Sequence, residues 1–304
     1  MTGRAVLVVG EALVDLVQRV DGSVDEAPGG SPANVALTLG RLGRHPQLLT
    51  SLGDDARGRT VRAWLEESGV QVSAATATGQ RTSTATARLD AAGSATYEFD
   101  LGWAVDVDLA GEADVVHVGS IATVLEPGAT AVAGLVSARR PTATITFDPN
   151  IRSALIHDAP AARAHVERLV RLADVVKVSD EDLRWLHPDR SPDETAAGWL
   201  AAGPAVVVVT LGGEGAFALT AEGRVSVPAP LVTVIDTVGA GDTFMGTLID
   251  GLIEAGLAGA DRREALRGLP LELLEQIMRR SAAAAAITVA RPGADPPRRA
   301  ELQA

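Results

Sequence analysis

The chain has 304 residues, 46% of them hydrophobic but only 3% aromatic, a formal charge of −12 and no cysteine. This length suffices for one large α/β domain or two smaller ones, with a core built mainly from alanine, valine and leucine. The acidic balance argues against nucleic acid and anionic membranes as partners. The lack of cysteine excludes disulfides, thiolate catalysis and cysteine zinc sites, and we expect a cytoplasmic protein.

The chain opens with a predicted buried strand. Residues 6–9 form a continuous apolar run, typical of a strand covered on both faces and too short for a signal peptide or a membrane span. Asp15 interrupts the apolar stretch that follows. A lone aspartate after a strand is most often a turn or a cap.

Residues 28–43, Pro-Gly-Gly-Ser-Pro-Ala-Asn-Val-Ala-Leu-Thr-Leu-Gly-Arg-Leu-Gly, begin as a glycine turn and continue as a helix. We expect Ser31 to cap this helix, Pro32 to occupy its first position and Gly43 to end it. Asn34 would lie in the first turn. There it is either a second capping residue or a side chain whose amide meets water or a ligand.

Between residues 81 and 99 small or apolar residues alternate with threonine and arginine around a turn at residues 91–94. Period-two alternation on both sides of a glycine turn predicts a β-hairpin. A hairpin that projects from an α/β body is a candidate lid.

From residue 115 onward, short β-branched runs alternate with helical segments. Strands are predicted at 115–118, 145–148, 175–178 and 206–210, and helices at 130–139, 160–172 and 193–202. This alternation predicts a parallel sheet with helices on both faces and with ligands outside the carboxyl ends of the strands. Two of those ends carry Arg152 and Lys177, the basic groups that an acidic protein needs near a phosphate.

The segment at residues 210–215, Thr-Leu-Gly-Gly-Glu-Gly, leads into strands predicted at 216–219 and 224–227. By itself it predicts a hairpin turn. The last helix is predicted at 271–289, where the small side chains of residues 281–286 allow a backbone or an adenine ring to approach closely. The polar tail after Gly293 is predicted to be disordered.

Residues 236–244, Asp-Thr-Val-Gly-Ala-Gly-Asp-Thr-Phe, carry the main chemical signal. Apolar residues spaced by four after them predict a buried helix that begins near Gly241. The free N–H groups of Gly239, Ala240 and Gly241 would meet an anion at the positive end of the helix dipole. With Asp242 beside them to handle a proton, these groups predict phosphoryl transfer to a hydroxyl.

By itself this stretch is also compatible with an ordinary glycine turn and an aspartate cap. Two better-known phosphate motifs do not fit, because no Gly-Lys-Ser/Thr follows and Phe244 replaces the third glycine of the dinucleotide fingerprint. Residues 236–244 nevertheless resemble the C-terminal signature of the PfkB, or ribokinase-like, carbohydrate kinases. Residues 28–43 resemble the N-terminal signature of the same family, and Asp-Pro-Asn-Ile-Arg at 148–152 resembles a motif that its fructokinases and 2-keto-3-deoxygluconate kinases share.

The resemblance implies one ribokinase-like domain over residues 1–304. This α/β fold has a central, mostly parallel sheet with helices on both faces, plus a small β-sheet lid. We expect the lid to be formed mainly by residues of about 12–27 and 81–103, and the protein to form a homodimer through it.

The resemblance also implies the roles of individual residues. Catalysis would involve Asp242 as the base and the anion hole of Gly239, Ala240 and Gly241. The sugar would contact Asp15, Gly30, Asn34, Arg152 and Asp242. ATP would contact Lys177, Ser179, Thr210, Gly212, Gly215 and Gly241. Mg²⁺ would bridge the phosphates, held mainly through water, and K⁺ would bind near the Asp236 side chain and the Val238 carbonyl.

Among the possible substrates, fructose ranks first and 2-keto-3-deoxygluconate second. The keto acid would need a basic partner for its carboxylate, and Arg81 or Arg88 could serve. Ribokinases usually carry an asparagine and a glutamate where this chain has Ser179 and Asp182, so ribose and nucleosides rank lower. A sugar-binding regulator on the same fold is the non-enzyme alternative, and the presence of Asp242 argues against it.

Overall fold

The computed structural model describes residues 4–75, 81–90 and 95–302. A nine-stranded sheet has the order β13-β12-β11-β10-β9-β8-β1-β4-β5. Its strands are β1 (Val6–Val9), β4 (Gln47–Ser51), β5 (Gln71–Ala75), β8 (Val115–Gly119), β9 (Thr144–Asp148), β10 (Val175–Ser179), β11 (Val206–Thr210), β12 (Ala216–Thr220) and β13 (Gly223–Val227). All neighbours pair in parallel except β11 with β12 and β12 with β13. The predicted mostly parallel sheet is confirmed.

Helices cover both faces of this sheet. They are α1 (Ser31–Arg41), α2 (Ala56–Glu66), α3 (Gly128–Arg139), α4 (Ala159–Leu172), α5 (Asp180–Leu186), α6 (Pro192–Ala202), α7 (Ala240–Glu254), α8 (Arg263–Arg267) and α9 (Leu271–Val289). One core cluster joins the sheet to α1, α2, α7, α8 and α9, and a second joins its other face to α3, α4, α5 and α6. Alternate residues of β1 enter opposite clusters, because successive side chains of a strand point to opposite faces.

A second, smaller sheet is built from β3, β2, β6 and β7 in that order. Its strands are β2 (Leu13–Gln18), β3 (Val24–Gly29), β6 (Thr84–Leu89) and β7 (Ala95–Asp100). β6 and β7 pair antiparallel, which confirms the predicted hairpin, while β2 pairs in parallel with β6. The predicted turn at residues 91–94 lies outside the described residues. Three of these strands fall within the two segments expected to form a lid, while β3 extends past the first segment to Gly29. The closing role of the sheet stays a prediction.

The start of α1 differs from the prediction. Gly30, with φ 103°, is the N-cap, and Ser31 is the first helical residue without a side-chain capping bond. The reason is steric, since a Cβ on Gly30 would lie 2.6 Å from the Glu11 carbonyl oxygen. The glycine therefore has to occupy the turn, and the predicted capping role of Ser31 is wrong.

The prediction of a disordered tail after Gly293 is also wrong. Residues 299–302 form a short helical turn, and Arg299 binds the carboxylates of Asp250 and Glu254 and the carbonyl of Leu42. Charged side chains that suggest disorder in the sequence are used here to attach the tail to α1 and α7. No helix in the described ranges is long and apolar enough to cross a membrane.

Candidate active site

The N-terminus of α7 is a candidate anion site at the carboxyl edge of the large sheet. Gly239 is the N-cap in a left-handed conformation, and the helix begins at Ala240, one residue before the predicted start. The Ala240 amide donates to the Thr237 carbonyl at 3.3 Å. Among the described residues, no acceptor pairs with the amides of Gly239, Gly241 and Asp242. The amides open to an anion are therefore those of Gly239, Gly241 and Asp242, whereas the sequence predicted those of Gly239, Ala240 and Gly241.

A buried ion pair lies beneath this helix start. Lys177 Nζ is 2.9 Å from Asp148 Oδ2, and the two side chains are 6% and 1% exposed. Burial opposes the charged form of Lys177, but the carboxylates of Asp148, Asp242 and Asp182 together outweigh it, so the pKa of Lys177 is raised. A Cβ on Gly241 would lie 2.8 Å from Nζ. The ammonium group thus adds a full positive charge directly behind the open amides.

Asp242 is 6% exposed, and its carboxylate is held by two side chains of α1. Ser31 Oγ donates to Oδ1 at 2.6 Å, and Asn34 Nδ2 donates to Oδ2 at 2.8 Å. The other amide atom, Asn34 Oδ1, is buried and has no partner among the described residues. The predicted sugar ligand Asn34 and the predicted base Asp242 are therefore in direct contact.

Asp15 faces the same region from β2. A Cβ on Gly29 would lie 2.1 Å from Asp15 Oδ2, so the glycine leaves room for the carboxylate. Burial raises the pKa of Asp15 to about 6; Arg152 counteracts this rise, while Asp242 and Asp236 add to it. Arg152 is exposed and donates to Asn150 Oδ1 at 2.7 Å. Three of the predicted sugar-binding residues, Asp15, Arg152 and Asp242, therefore interact electrostatically.

A cavity of about 380 Å³ adjoins the α7 start. Thr210, Gly212, Gly215 and Gly241, all predicted nucleotide contacts, line it together with Phe244. Small residues of α9 form another wall: Ala282, Ala285 and Ala286. Its largely apolar lining suits a flat ring such as adenine.

The described lining of the cavity lacks two predicted nucleotide contacts, Lys177 and Ser179, and includes residues that the sequence did not assign. Ser179 is absent from the described lining of the cavity; it caps α5, where its Oγ accepts from the Asp182 amide at 3.0 Å. The segment before α7 supplies a wall that the sequence did not assign, formed by Ala229, Pro230, Leu231, Val232 and Val234. Leu231 is fully exposed and Val234 is 59% exposed. Exposed apolar side chains of this kind indicate a binding surface, but their exposure can be recognised only once the chain is folded.

Asp236 ties this segment to the turn after α9. Its Oδ1 accepts from the Val238 amide at 3.0 Å and its Oδ2 from the Gly293 amide at 2.9 Å. Each carboxylate oxygen retains a free lone pair, as a monovalent cation would require. In the described part of the chain, no group of three or more His, Asp or Glu side chains could hold a metal ion. The Mg²⁺ and K⁺ sites stay predictions.

An anion site with an adjacent carboxylate, set beside an apolar cavity at the carboxyl edge of a mostly parallel sheet, defines a small-molecule kinase of the α/β class. The chain belongs to the pfkB family of carbohydrate kinases, whose profile matches residues 4–300. The predicted family and the ribokinase-like fold are confirmed.

Similar proteins of known name support the same assignment. A fructokinase of Rhizobium leguminosarum bv. trifolii is 37% identical over 260 residues, covering 81% of this chain and 79% of that protein. One from Klebsiella pneumoniae is 35% identical over 271 residues, covering 84% and 87%.

Solved structures of fructokinases have the same fold. That of Xylella fastidiosa with bound ATP has a TM-score of 0.86 and 26% identity, covering 95% of this chain and 93% of that one. A double mutant of the Vibrio cholerae enzyme, with fructose, ADP and a potassium ion, has a TM-score of 0.83 and 28% identity, covering 100% and 99%.

Proposed function

We propose that this protein is an ATP-dependent fructokinase, which transfers the γ-phosphate of ATP to a primary hydroxyl of fructose. The observation that carries the proposal is the contact between Asp242 and α1 at the anion site of α7. This contact brings the N-terminal signature at residues 28–43 together with the C-terminal signature at residues 236–244. The similarity to fructokinases over most of the chain supports fructose as the acceptor.

The nucleotide would occupy the cavity next to α9, with its γ-phosphate at the amides of Gly239, Gly241 and Asp242. Lys177 would add charge stabilisation as negative charge develops on the phosphoryl oxygens. Mg²⁺, when bound, would neutralise part of the phosphate charge and would be held mainly through water, since no group of three or more acidic or histidine side chains among the described residues could hold it. K⁺ would bind near the Asp236 side chain and the Val238 carbonyl and order the loop. The presence of a potassium ion in the Vibrio cholerae fructokinase structure supports a K⁺ site.

The sugar would lie between β2 and α1, against Asp15, Gly30 and Asn34. Asn34 Oδ1, unpartnered among the described residues, is available for a sugar hydroxyl. Asp242 would accept the proton of the attacking hydroxyl as the bond to phosphorus forms. A carboxylate suffices as this base because the hydroxyl loses its proton late in a loose transition state.

The charges around the sugar region favour a neutral sugar over a keto acid. The negative charges of Asp236 and Asp242 both raise the pKa of Asp15, and the positive charge of Arg152 lowers it. Arg88, a possible carboxylate partner, instead pairs with Glu98 and Gln18 on the small sheet. 2-Keto-3-deoxygluconate remains the second candidate, with Arg152 as its partner. A similar fold occurs in an aminoimidazole riboside kinase of Salmonella enterica, with a TM-score of 0.79 and 26% identity, so a nucleoside belongs in the substrate panel.

The test is ADP release with ATP and Mg²⁺ against fructose, 2-keto-3-deoxygluconate, ribose and adenosine. We expect turnover of fructose, and a fall of about 10²- to 10⁴-fold in kcat for Asp242→Asn because the base is lost. Asp158→Asn is the matched control, since Asp158 only caps α4. Calorimetric binding of a sugar without turnover of any substrate would contradict the proposal and favour a regulator.

We also propose that the protein is cytoplasmic and forms a homodimer through the small sheet. Val20 and Val24, at the β2–β3 end of that sheet, are 67% and 47% exposed. Exposed apolar side chains on a sheet are suited to a partner surface. Light scattering of the purified protein tests the dimer, and a monomeric mass at assay concentration would contradict it.

A further inference from the structure

We propose that Ser31 is a positioning residue for the catalytic carboxylate, an inference that rests on the proposed kinase function. Ser31 is the first residue of α1 and is 7% exposed. Its hydroxyl caps no helix and donates instead to Asp242 Oδ1 at 2.6 Å. The contact joins residues 211 positions apart in the chain, at the point where α1 meets α7.

A carboxylate at the third position of a helix needs such a restraint. The terminal torsion of an aspartate side chain has a broad, two-fold energy profile, so the group turns easily. It is also attracted to the N–H groups of its own helix, as in a capping interaction. Because α1 supplies a donor to each oxygen, the carboxylate plane of Asp242 is fixed. The amides of Gly239 and Gly241 stay open for phosphate.

Ser31 and Asn34 are not equivalent restraints. Asn34 is also a proposed sugar ligand, and its Oδ1 has no partner among the described residues, so its amide changes its hydrogen bonds when a sugar binds. Ser31 has no such competing role. We therefore expect the Ser31 hydroxyl to hold Asp242 before, during and after sugar binding, and to set the direction from which Asp242 accepts the proton.

The spacing that permits this contact is set by close packing of the two helices. A Cβ on Gly246 of α7 would lie 2.7 Å from Thr38 Cβ of α1. The charged groups that face Asp242 come from three strands: Lys177 of β10, Asp148 of β9 and Asp15 of β2. Ser31→Ala changes none of these charges, so its effect on Asp242 comes from the lost hydrogen bond.

The test compares steady-state kinetics of Ser31→Ala with those of the unmodified chain. We expect kcat to fall about tenfold, since a misdirected base costs rate rather than binding. The KM for fructose should stay within about twofold. The acid limb of the kcat profile should move up by roughly one pH unit, because a donor to the charged carboxylate is lost.

Thr38→Val is the control for a structural effect. It removes a hydroxyl that is 1% exposed on the same helix, which donates to the Asn34 carbonyl and not to Asp242. Its kcat profile should keep the acid limb of the unmodified chain. In an Asp242→Asn background, Ser31→Ala should lower the residual rate no further, because the two residues act as one unit.

Three results would overturn the inference alone while fructose turnover stands: an unchanged kcat for Ser31→Ala, the same pH shift in Thr38→Val, or full additivity with Asp242→Asn. Absence of turnover by the unmodified chain would overturn the proposed function and the inference with it. The two failures are therefore distinguishable in one set of assays.

Discussion

The substitution Gly241→Ala tests the anion site most directly. The new Cβ would lie 2.8 Å from Lys177 Nζ, about 0.6 Å short of the 3.4 Å at which van der Waals contact becomes ordinary. Lys177 has little freedom to withdraw, because it is buried and bound to Asp148 at 2.9 Å. Stretching that ion pair by about 0.6 Å costs about 1 kcal/mol at an effective dielectric constant of about 20. We expect a loss of about 1–3 kcal/mol in the free energy of unfolding once the distorted hydrogen bond is included.

The effect on activity should be larger than the effect on stability. The methyl group would push the Lys177 ammonium group away from its place behind the open amides, and lost electrostatic contacts of this kind lower kcat by about 10²- to 10³-fold. Coupled-enzyme kinetics and urea unfolding measure the two effects. Gly198→Ala is the matched control, since its Cβ meets nothing within 4 Å in α6. A kcat for Gly241→Ala within about threefold of the unmodified chain would refute this account of the anion site.

Two further predictions concern stability. Burial raises the pKa of Glu11 from 4.5 to about 7, so the folded chain keeps a proton that the unfolded chain releases, and this contribution to stability falls as pH rises between these values. Glu11→Gln should remove this pH dependence, which amounts to about 3 kcal/mol in the free energy of unfolding. Thermal melts at several pH values measure it, and a variant whose stability still falls equally with rising pH would contradict the raised pKa of Glu11. Arg299→Ala should lower the free energy of unfolding by about 1–3 kcal/mol, because Asp250 and Glu254 lose a partner. An unchanged urea midpoint would mean that the tail does not need this attachment.

Many elements could be predicted because their residues carry strong local signals. A run of β-branched residues predicted β11, and the alternation of strands with helices predicted the parallel sheet. Helix α9 has the predicted bounds of residues 271–289. The two signature motifs predicted where α7 begins and that Asn34 lies in the first turn of α1. These predictions succeeded because strand propensity, helix period and glycine turns depend mainly on residues close in the chain.

The missed features depend on contacts between distant segments. Ser31 resembles a helix cap by every local rule, but the close approach of Gly30 to Glu11 puts the glycine in that place. The position of Lys177 behind Gly241, and the wall of the cavity at residues 229–234, appear only when β10, α7 and the preceding segment are assembled. No spacing in the sequence encodes such neighbours.

The packing of α7 between α1 and α9 also affects how the chain can be made. During synthesis from the N-terminus, β1, α1 and α2 emerge long before α7, so part of one apolar face of the sheet stays uncovered until residues 240–289 follow. Partly made chains that expose apolar surface are prone to aggregate. They also lack Asp242 and the anion site. The chain therefore acquires its complete core and its proposed base with the same helix, and incomplete chains would not consume ATP at this site.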